Sequence, residues 1–184
     1  MAIDTLVRRH LKSVTRVDLS YNYLRNSGVI SLALLIKSLP QLSHLDLGDN
    51  HVGDSGASAL AEATASSTSL ATLALGGNRI ADAGLSSIAG ALAPSLQSLN
   101  FNFNCASNQG ASALAEALRS GNNSLTCLFL SGNSISSAGV QALAEASTKS
   151  KSLKQLYLRG NPLDASARAA LEAVAQQTSL LVFV

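Results

Sequence analysis

Residues 70–92 read LATLALGGNRIADAGLSSIAGAL. The first half alternates apolar and polar residues and ends at Asn78. The second half carries apolar residues at helical spacing and opens near Asp82 and Gly84. Apolar residues two apart on a strand share a face, so Leu73 and Leu75 point inward, joined by Leu70 as the strand begins. The unit is therefore a short strand, a turn and a helix.

The chain writes this unit about six times, and an internal repeat decides a fold before any local propensity does. Asn22, Asn50, Asn78, Asn104, Asn133 and Asn161 mark the register, at spacings of 28, 28, 26, 29 and 28. Eight residues before each lies Val14, Leu42, Leu70, Leu96, Leu125 or Leu153. Five before is Val17, Leu45, Leu73, Leu99, Leu128 or Leu156, and three before is Leu19, Leu47, Leu75, Phe101, Leu130 or Leu158. This LxxLxLxxN pattern resembles the leucine-rich repeat over roughly residues 14–184. The unit length and helix-forming second half resemble the ribonuclease-inhibitor type, also found in the GTPase activator of Ran and in NOD-like receptors. The resemblance implies a right-handed α/β solenoid, a horseshoe arc with an inner parallel sheet and outer helices.

The physics of each position agrees. A turn asparagine offers both donor and acceptor groups to buried backbone. Four residues later comes Asn26, Asp54, Asp82, Asn108 or Ser137, all suited to helix N-caps. Six after the asparagine comes Gly28, Gly56, Gly84, Gly110 or Gly139, where a missing side chain permits close packing. Ten after is Leu32, Leu60, Ile88, Leu114, Leu143 or Leu171, the helix anchor. The sixth unit departs, with Ala165 and Ala167 at the cap and glycine positions and Asp164 placed to cap one residue early. Helices sit ~8–10 Å apart and strands ~4.8 Å, so stacked units curve by roughly 20° each, with the sheet inside.

Length suits one domain with a good core. The repeats start near residues 14, 42, 70, 96, 125 and 153, with a partial seventh strand at Leu180, where Leu180 and Phe183 match core positions. Residues 1–13, MAIDTLVRRHLKS, read as an N-terminal capping helix; an organelle-targeting segment is the sharper but shorter-founded alternative. No secretory signal is visible, and the sequon Asn122-Asn123-Ser124 is expected by chance. Cys105 and Cys127 form no disulfide framework, which fits an intracellular, cytoplasmic setting and departs from the cysteine-rich mammalian ribonuclease inhibitors. Ribonuclease inhibition is therefore not carried over. A net charge of +2 gives no case for nucleic acid, and no stretch suits a membrane span.

Candidate function sits on the outward strand face. The second unit carries His44, Asp46, Asp49 and His51, and Asp18 falls beside Asp46 on the neighbouring strand. Histidines and carboxylates can hold metal or exchange protons, but Arg16 is near enough to neutralise the acids, and a polar contact patch is the preferred reading. The third unit is bland there, with Thr72, Ala74, Gly76 and Gly77, followed by Arg79. A turn arginine serves catalysis in a Ran GTPase activator; nothing around Arg79 matches that segment and no acidic tail follows residue 184. The fourth unit turns out Asn100, Asn102 and Phe103, the fifth Cys127 and Phe129, the sixth Gln155, Tyr157 and Arg159.

Of the chain's seven aromatic residues, Phe101 and Phe183 take core positions by this register, while Tyr21, Tyr23, Phe103, Phe129 and Tyr157 fall on the outward face or its turn. Exposed aromatics with Arg and Asn are the usual composition of binding hot spots. Phe129 and Tyr157 should be lateral neighbours and can also stack along the sheet. The expected function is non-catalytic protein binding through the concave face, with no cofactor, metal or catalytic residue. The alternative is a structural subunit that contacts neighbours through its ends and a convex Ile30/Leu34 spot, since later helices put Glu62, Glu116 and Glu145 where the first has Leu34. Residues 178–184, TSLLVFV, read as an open strand edge suited to subunit docking or end-to-end self-association.

Overall fold

In the computed structural model each leucine segment becomes a three-residue strand and each second half a helix. Residues 11–120 and 124–184 are described; the capping helix expected over 1–13 and the sequon at 122–124 lie largely outside them. Strands β1 (Arg16–Asp18), β2 (His44–Asp46), β3 (Thr72–Ala74), β4 (Ser98–Asn100), β5 (Cys127–Phe129), β6 (Gln155–Tyr157) and β7 (Leu181–Phe183) form one parallel sheet in sequence order. Helices α1 (Arg25–Ile36), α2 (Asp54–Thr64), α3 (Asp82–Gly90), α4 (Asn108–Arg119), α5 (Ser137–Lys149) and α6 (Ala165–Gln177) alternate with them. The sheet does not close, so β1 and β7 are its edges among the described residues.

The registers align Leu45, Leu73, Leu99, Leu128 and Leu156 in one buried row. Leu47, Leu75, Phe101, Leu130 and Leu158 form a second. Burying a leucine stabilises by about 1.5–3 kcal/mol, and each unit contributes several to a core shared with its neighbours. The helices close over it with Leu60, Leu85, Leu114 and Leu143, and with small Ala57, Ala111 and Ala144 where they approach one another.

The asparagines tie successive units together. Asn78 Oδ1 accepts from the amides of Asn50 and Val52 of the preceding unit, at 3.1 and 2.9 Å. Its Nδ2 donates to the carbonyls of Leu47 and Leu75, at 3.0 and 2.9 Å. Asn50, Asn104, Asn133 and Asn161 repeat the arrangement. Among the described residues Asn22 has no preceding strand to serve and donates within its own turn, to Leu19 and Ser20.

The helix caps are built differently from the local expectation. Asn26, Asp54, Asp82 and Asn108 do not cap their own helices; they are already helical, and each accepts from the first turn of the next helix. Asp54 Oδ1 accepts from Ala81 N at 2.7 Å and Gly84 N at 3.0 Å. Asn26 serves Gly53 and Gly56, Asp82 serves Ser107 and Gly110, and Asn108 serves Ser136 and Gly139. The oxygen occupies the space a side chain would need: a Cβ on Gly84 would lie 2.7 Å from Asp54 Oδ1, and one on Gly139 2.7 Å from Asn108 Oδ1. The same Cβ would also crowd the unit's own apolar side chain, Ile80 at Gly84 and Val52 at Gly56, so the neighbouring unit's cap and the unit's own packing together favour glycine in that column. In the last unit the device changes. Ala167 replaces glycine, Asp164 caps its own helix through Ala167 N at 2.9 Å, and the Ser137 hydroxyl of the preceding unit donates to the Asp164 carboxylate, which helps hold it below the usual 3.8.

The seventh strand corrects one expectation. Leu180 is buried, but the chain enters β7 one residue early relative to the sixth unit. Leu181 pairs with Gln155, Val182 with Leu156 and Phe183 with Tyr157. A one-residue slip exchanges the two faces of a strand. Val182 thus takes the inward place assigned to Phe183, and Phe183 turns to the outward face.

Candidate functional site

The outward face is read directly from the strand registers. Arg16 and Asp18 lie beside His44 and Asp46, then Thr72 and Ala74, Ser98 and Asn100, Cys127 and Phe129, Gln155 and Tyr157, and Leu181 and Phe183. Among the described residues nothing covers this face; their helices lie behind the inward leucines.

The turns at the ends of these strands share an unusual backbone. The residue before each ladder asparagine has a positive φ: Tyr21 at 59°, Asp49 at 55°, Gly77 at 68°, Phe103 at 54°, Gly132 at 66° and Gly160 at 71°. Three units use glycine, for which this conformation is unstrained. Three use a residue with a side chain, and for an aromatic it is a genuine outlier. Tyr23, Arg25 and His51 in the first two units are also left-handed. Left-handed non-glycine residues cost of order 1–3 kcal/mol and persist where surroundings enforce them, commonly at binding sites. The glycines also seat their neighbours: a Cβ on Gly132 would overlap the Phe103 ring, and one on Gly77 the Asp49 carboxylate.

The outward aromatic residues divide between the turns of the first four units and the last three strands. Tyr21, Tyr23 and Phe103 are 75%, 70% and 67% exposed. Phe129, Tyr157 and Phe183 form a continuous stack, with ring centroids 4.5 and 4.2 Å apart and planes within 17° and 5°. Between Tyr21 and Phe103 the small residues of the third unit leave a hollow of about 340 Å³, floored by Ala74, Gly76 and Gly77 and walled by Asp46, Asp49 and Asn100. Arg25 and Arg79 line a separate hollow with Tyr23 and His51.

The Leucine Rich repeat family matches residues 10–33, 39–61, 66–89, 93–115 and 121–144, more than half of the sequence. This chain belongs to the leucine-rich repeat family. It is 41% identical over 70 residues to mouse "NACHT, LRR and PYD domains-containing protein 14". That alignment covers 38% of this chain and 7% of the relative, so the chain spans a small part of that relative's length. Among solved structures, a Listeria monocytogenes internalin matches with a TM-score of 0.58 at 18% identity, over 96% of this chain and 50% of that one. The Caenorhabditis elegans tropomodulin C-terminal domain matches with a TM-score of 0.54 at 14% identity, over 94% and 91%. These likenesses establish the repeat fold.

On this leucine-rich-repeat face the polar residues are held by local bonds. Asp46 Oδ1 accepts from Gly48 N at 2.9 Å, and Asn100 Oδ1 from Asn102 N at 3.0 Å. Asp18 accepts from the hydroxyl and amide of Ser20, which hold its carboxyl below the usual 3.8; the charge of Arg16 is a lesser cause. Arg16 forms no ion pair with Asp18 or Asp46, because among the described residues the ion pairs join Arg119 to Glu116 and Glu145. Arg16 acts on Asp18 through its charge without forming an ion pair. His44 shares its Nδ1 with Ser43 Oγ at 2.8 Å, and His51 lies against the Tyr23 ring at 5.0 Å. Arg159 is exposed beyond the turn after Tyr157. Among the described residues no three His, Cys, Asp or Glu side chains converge on a metal site, and no helix is long and apolar enough to cross a membrane.

The left-handed column does not follow from the leucine spacing or the strand alternation. Its signal is visible in alignment of the units, where the position before the asparagine holds three glycines among Tyr21, Asp49 and Phe103.

Proposed function

We propose that this chain is a non-catalytic protein-interaction module whose partner lies on the open, concave face of the sheet. The distribution of aromatic side chains carries this reading. Six of the seven lie on that face or its turns, and Phe101 alone is in the core. A protein using aromatic rings only to fill its interior would show the reverse. Membership of the leucine-rich repeat family supports protein binding in general, and repeats near 28 residues with helical second halves support the ribonuclease-inhibitor type. The exposed Tyr21, Tyr23 and Phe103, with Asn102 and Arg159, supply the amphipathic anchors that dominate interface energies. Two free thiols, Cys105 and Cys127, fit a cytoplasmic setting. The test is site-specific photo-crosslinking in cells, with the crosslinker placed at Ser98 or Tyr157 on the face, or at Glu116 on the helix side. Partner adducts from the face positions support the reading; adducts confined to Glu116 overturn it.

A scaffold role is a second reading, favoured by Leu34 at 73% exposure beside Ile30 on α1 and by the free edge of β7, where Leu181 is 56% exposed. In that case partners would join through the helix side or the end, including a second copy meeting residues 178–184. Since Val182 points inward, Leu181→Lys is the substitution that probes this edge.

A further inference from the structure

We infer that the hollow over residues 74–77 receives an arginine side chain from an extended segment of the protein partner, an inference that rests on the concave-face reading above. The floor is made by the absence of side chains. Gly77, with φ of 68°, lies beneath the Asp49 carboxylate and has no room for a side chain, and a Cβ on Gly76 would sit tightly, 3.3 Å from Asn100 Oδ1. The walls have one character. Asp46 and Asp49 bring two carboxylates to the same side, and neither belongs to any ion pair among the described residues. Tyr21 and Phe103 line it with exposed rings. Asn100 adds an amide.

Each class of occupant meets these walls differently. An anion would face two carboxylates. An apolar side chain would strip water from them without offering a hydrogen bond, which is costly. A guanidinium satisfies all three features: planar donors that match carboxylates, a face that stacks on aromatic rings, and a long apolar stem that can lie along Ala74 and the glycines. Arginine is favoured over lysine because its flat group can pair with carboxylate and ring together. The basic residues of the same turns, Arg25 and Arg79, line the neighbouring hollow and leave this one acidic although the whole chain is net positive. The left-handed backbone at Tyr21, Asp49 and Phe103 fixes three of the walls at the turn.

The test is a titration of the ¹⁵N-labelled full chain with blocked Gly-Arg-Gly peptide, followed by amide chemical shifts, with blocked Gly-Glu-Gly and Gly-Leu-Gly as comparisons. Saturable shifts at Gly76, Gly77 and Asn102 with the arginine peptide alone are expected. The affinity should fall about tenfold or more in Asp46→Asn/Asp49→Asn, and should weaken as salt rises from about 50 to about 300 mM. Asparagine keeps the turn hydrogen bond and tolerates the left-handed backbone, so this variant should fold. The inference is overturned if no amide shifts, if the leucine peptide moves the same amides equally, or if the double variant binds as well as the wild type. Failure here with photo-crosslinks still on the face removes the arginine socket and leaves the interaction surface. Crosslinks confined to the helices would remove the surface itself.

Discussion

Tyr21 and Phe103 on turns of the first four units of the open face, and Phe129, Tyr157 and Phe183 on its last three strands, are all aromatic and all outward, yet they are held in opposite ways. The first two project from left-handed turns and are about 70% exposed. The other three lie on the strands, half-buried, each ring against the next. In the fifth and sixth units the turn position is glycine, Gly132 and Gly160, where no strain is stored. The chain thus has an unstrained solution to its own turn and departs from it at Tyr21, Asp49 and Phe103. The stacked rings stabilise the sheet whether or not anything binds, whereas the projecting rings do little for the fold.

This contrast can be broken in either group of rings. The largest effect should come from the projecting rings: Tyr21→Ala or Phe103→Ala is expected to weaken the main partner by ~2 kcal/mol or more. Urea melts should stay near wild type; calorimetric titration with the crosslinked partner, once purified, supplies the affinity. Equal affinity in both variants would place the anchors elsewhere. The shared frame comes next. Asn78→Ala leaves two amides and two carbonyls between units without their partner, at ~1–3 kcal/mol. Asn22→Ala, whose exposed side chain donates within its own turn, should cost clearly less in the same urea melts. A smaller loss, ~0.5–1.5 kcal/mol, is expected for Tyr157→Ala, which interrupts the stack at its middle ring. If Tyr157→Ala instead leaves stability untouched and abolishes binding, the two groups of rings do the same work and the contrast fails.

The smallest effect separates charge from geometry in the caps. Burial disfavours the Asp82 carboxylate, but the hydroxyl and amide of Ser107 and the amide of Gly110 outweigh it, and its pKa lies below the usual 3.8. A depressed folded value contributes stability that is present above the unfolded value and lost as pH falls through the folded one. Asp82→Asn should therefore be slightly less stable than wild type near neutral pH, where that contribution is missing, and should lose less stability below about pH 4. Asn108 already shows the geometry, accepting from Ser136 and Gly139 while its Nδ2 donates to Ser136 Oγ at 2.8 Å. A steeper acid loss in the variant would contradict the assigned cause.

The solenoid is legible in the sequence because leucine spacing and asparagine spacing are both set by the strand–turn–helix unit, and both survive in every copy. What is not legible follows from contacts between copies. Asp54 and Asp82 look like caps of the helices they begin, since capping rules are written for one helix; only the stacked structure shows that each serves its successor. Ala167 and Asp164 carry the hint, because glycine disappears where the preceding unit has Ser137 in place of an Asp or Asn and the acceptor moves to Asp164. The slip at β7 is hidden because Leu180 and Phe183 fit the repeat spacing as well as Leu180 and Val182 fit the packing. Of the candidate site, the outward strand residues follow from alternation alone. The hollow does not, because it is defined by side chains missing from a unit that reads as bland.

The substitution Phe103→Gly tests the division most directly. Glycine relieves a left-handed aromatic, a gain of ~1–2 kcal/mol, against ~0.5–1 kcal/mol of added chain entropy. Stability in urea should then be unchanged or raised by up to ~1 kcal/mol, while crosslinked partner recovered through Ser98 falls severalfold. A clear loss of stability together with undiminished crosslinking would show that Phe103 serves the fold and not a partner.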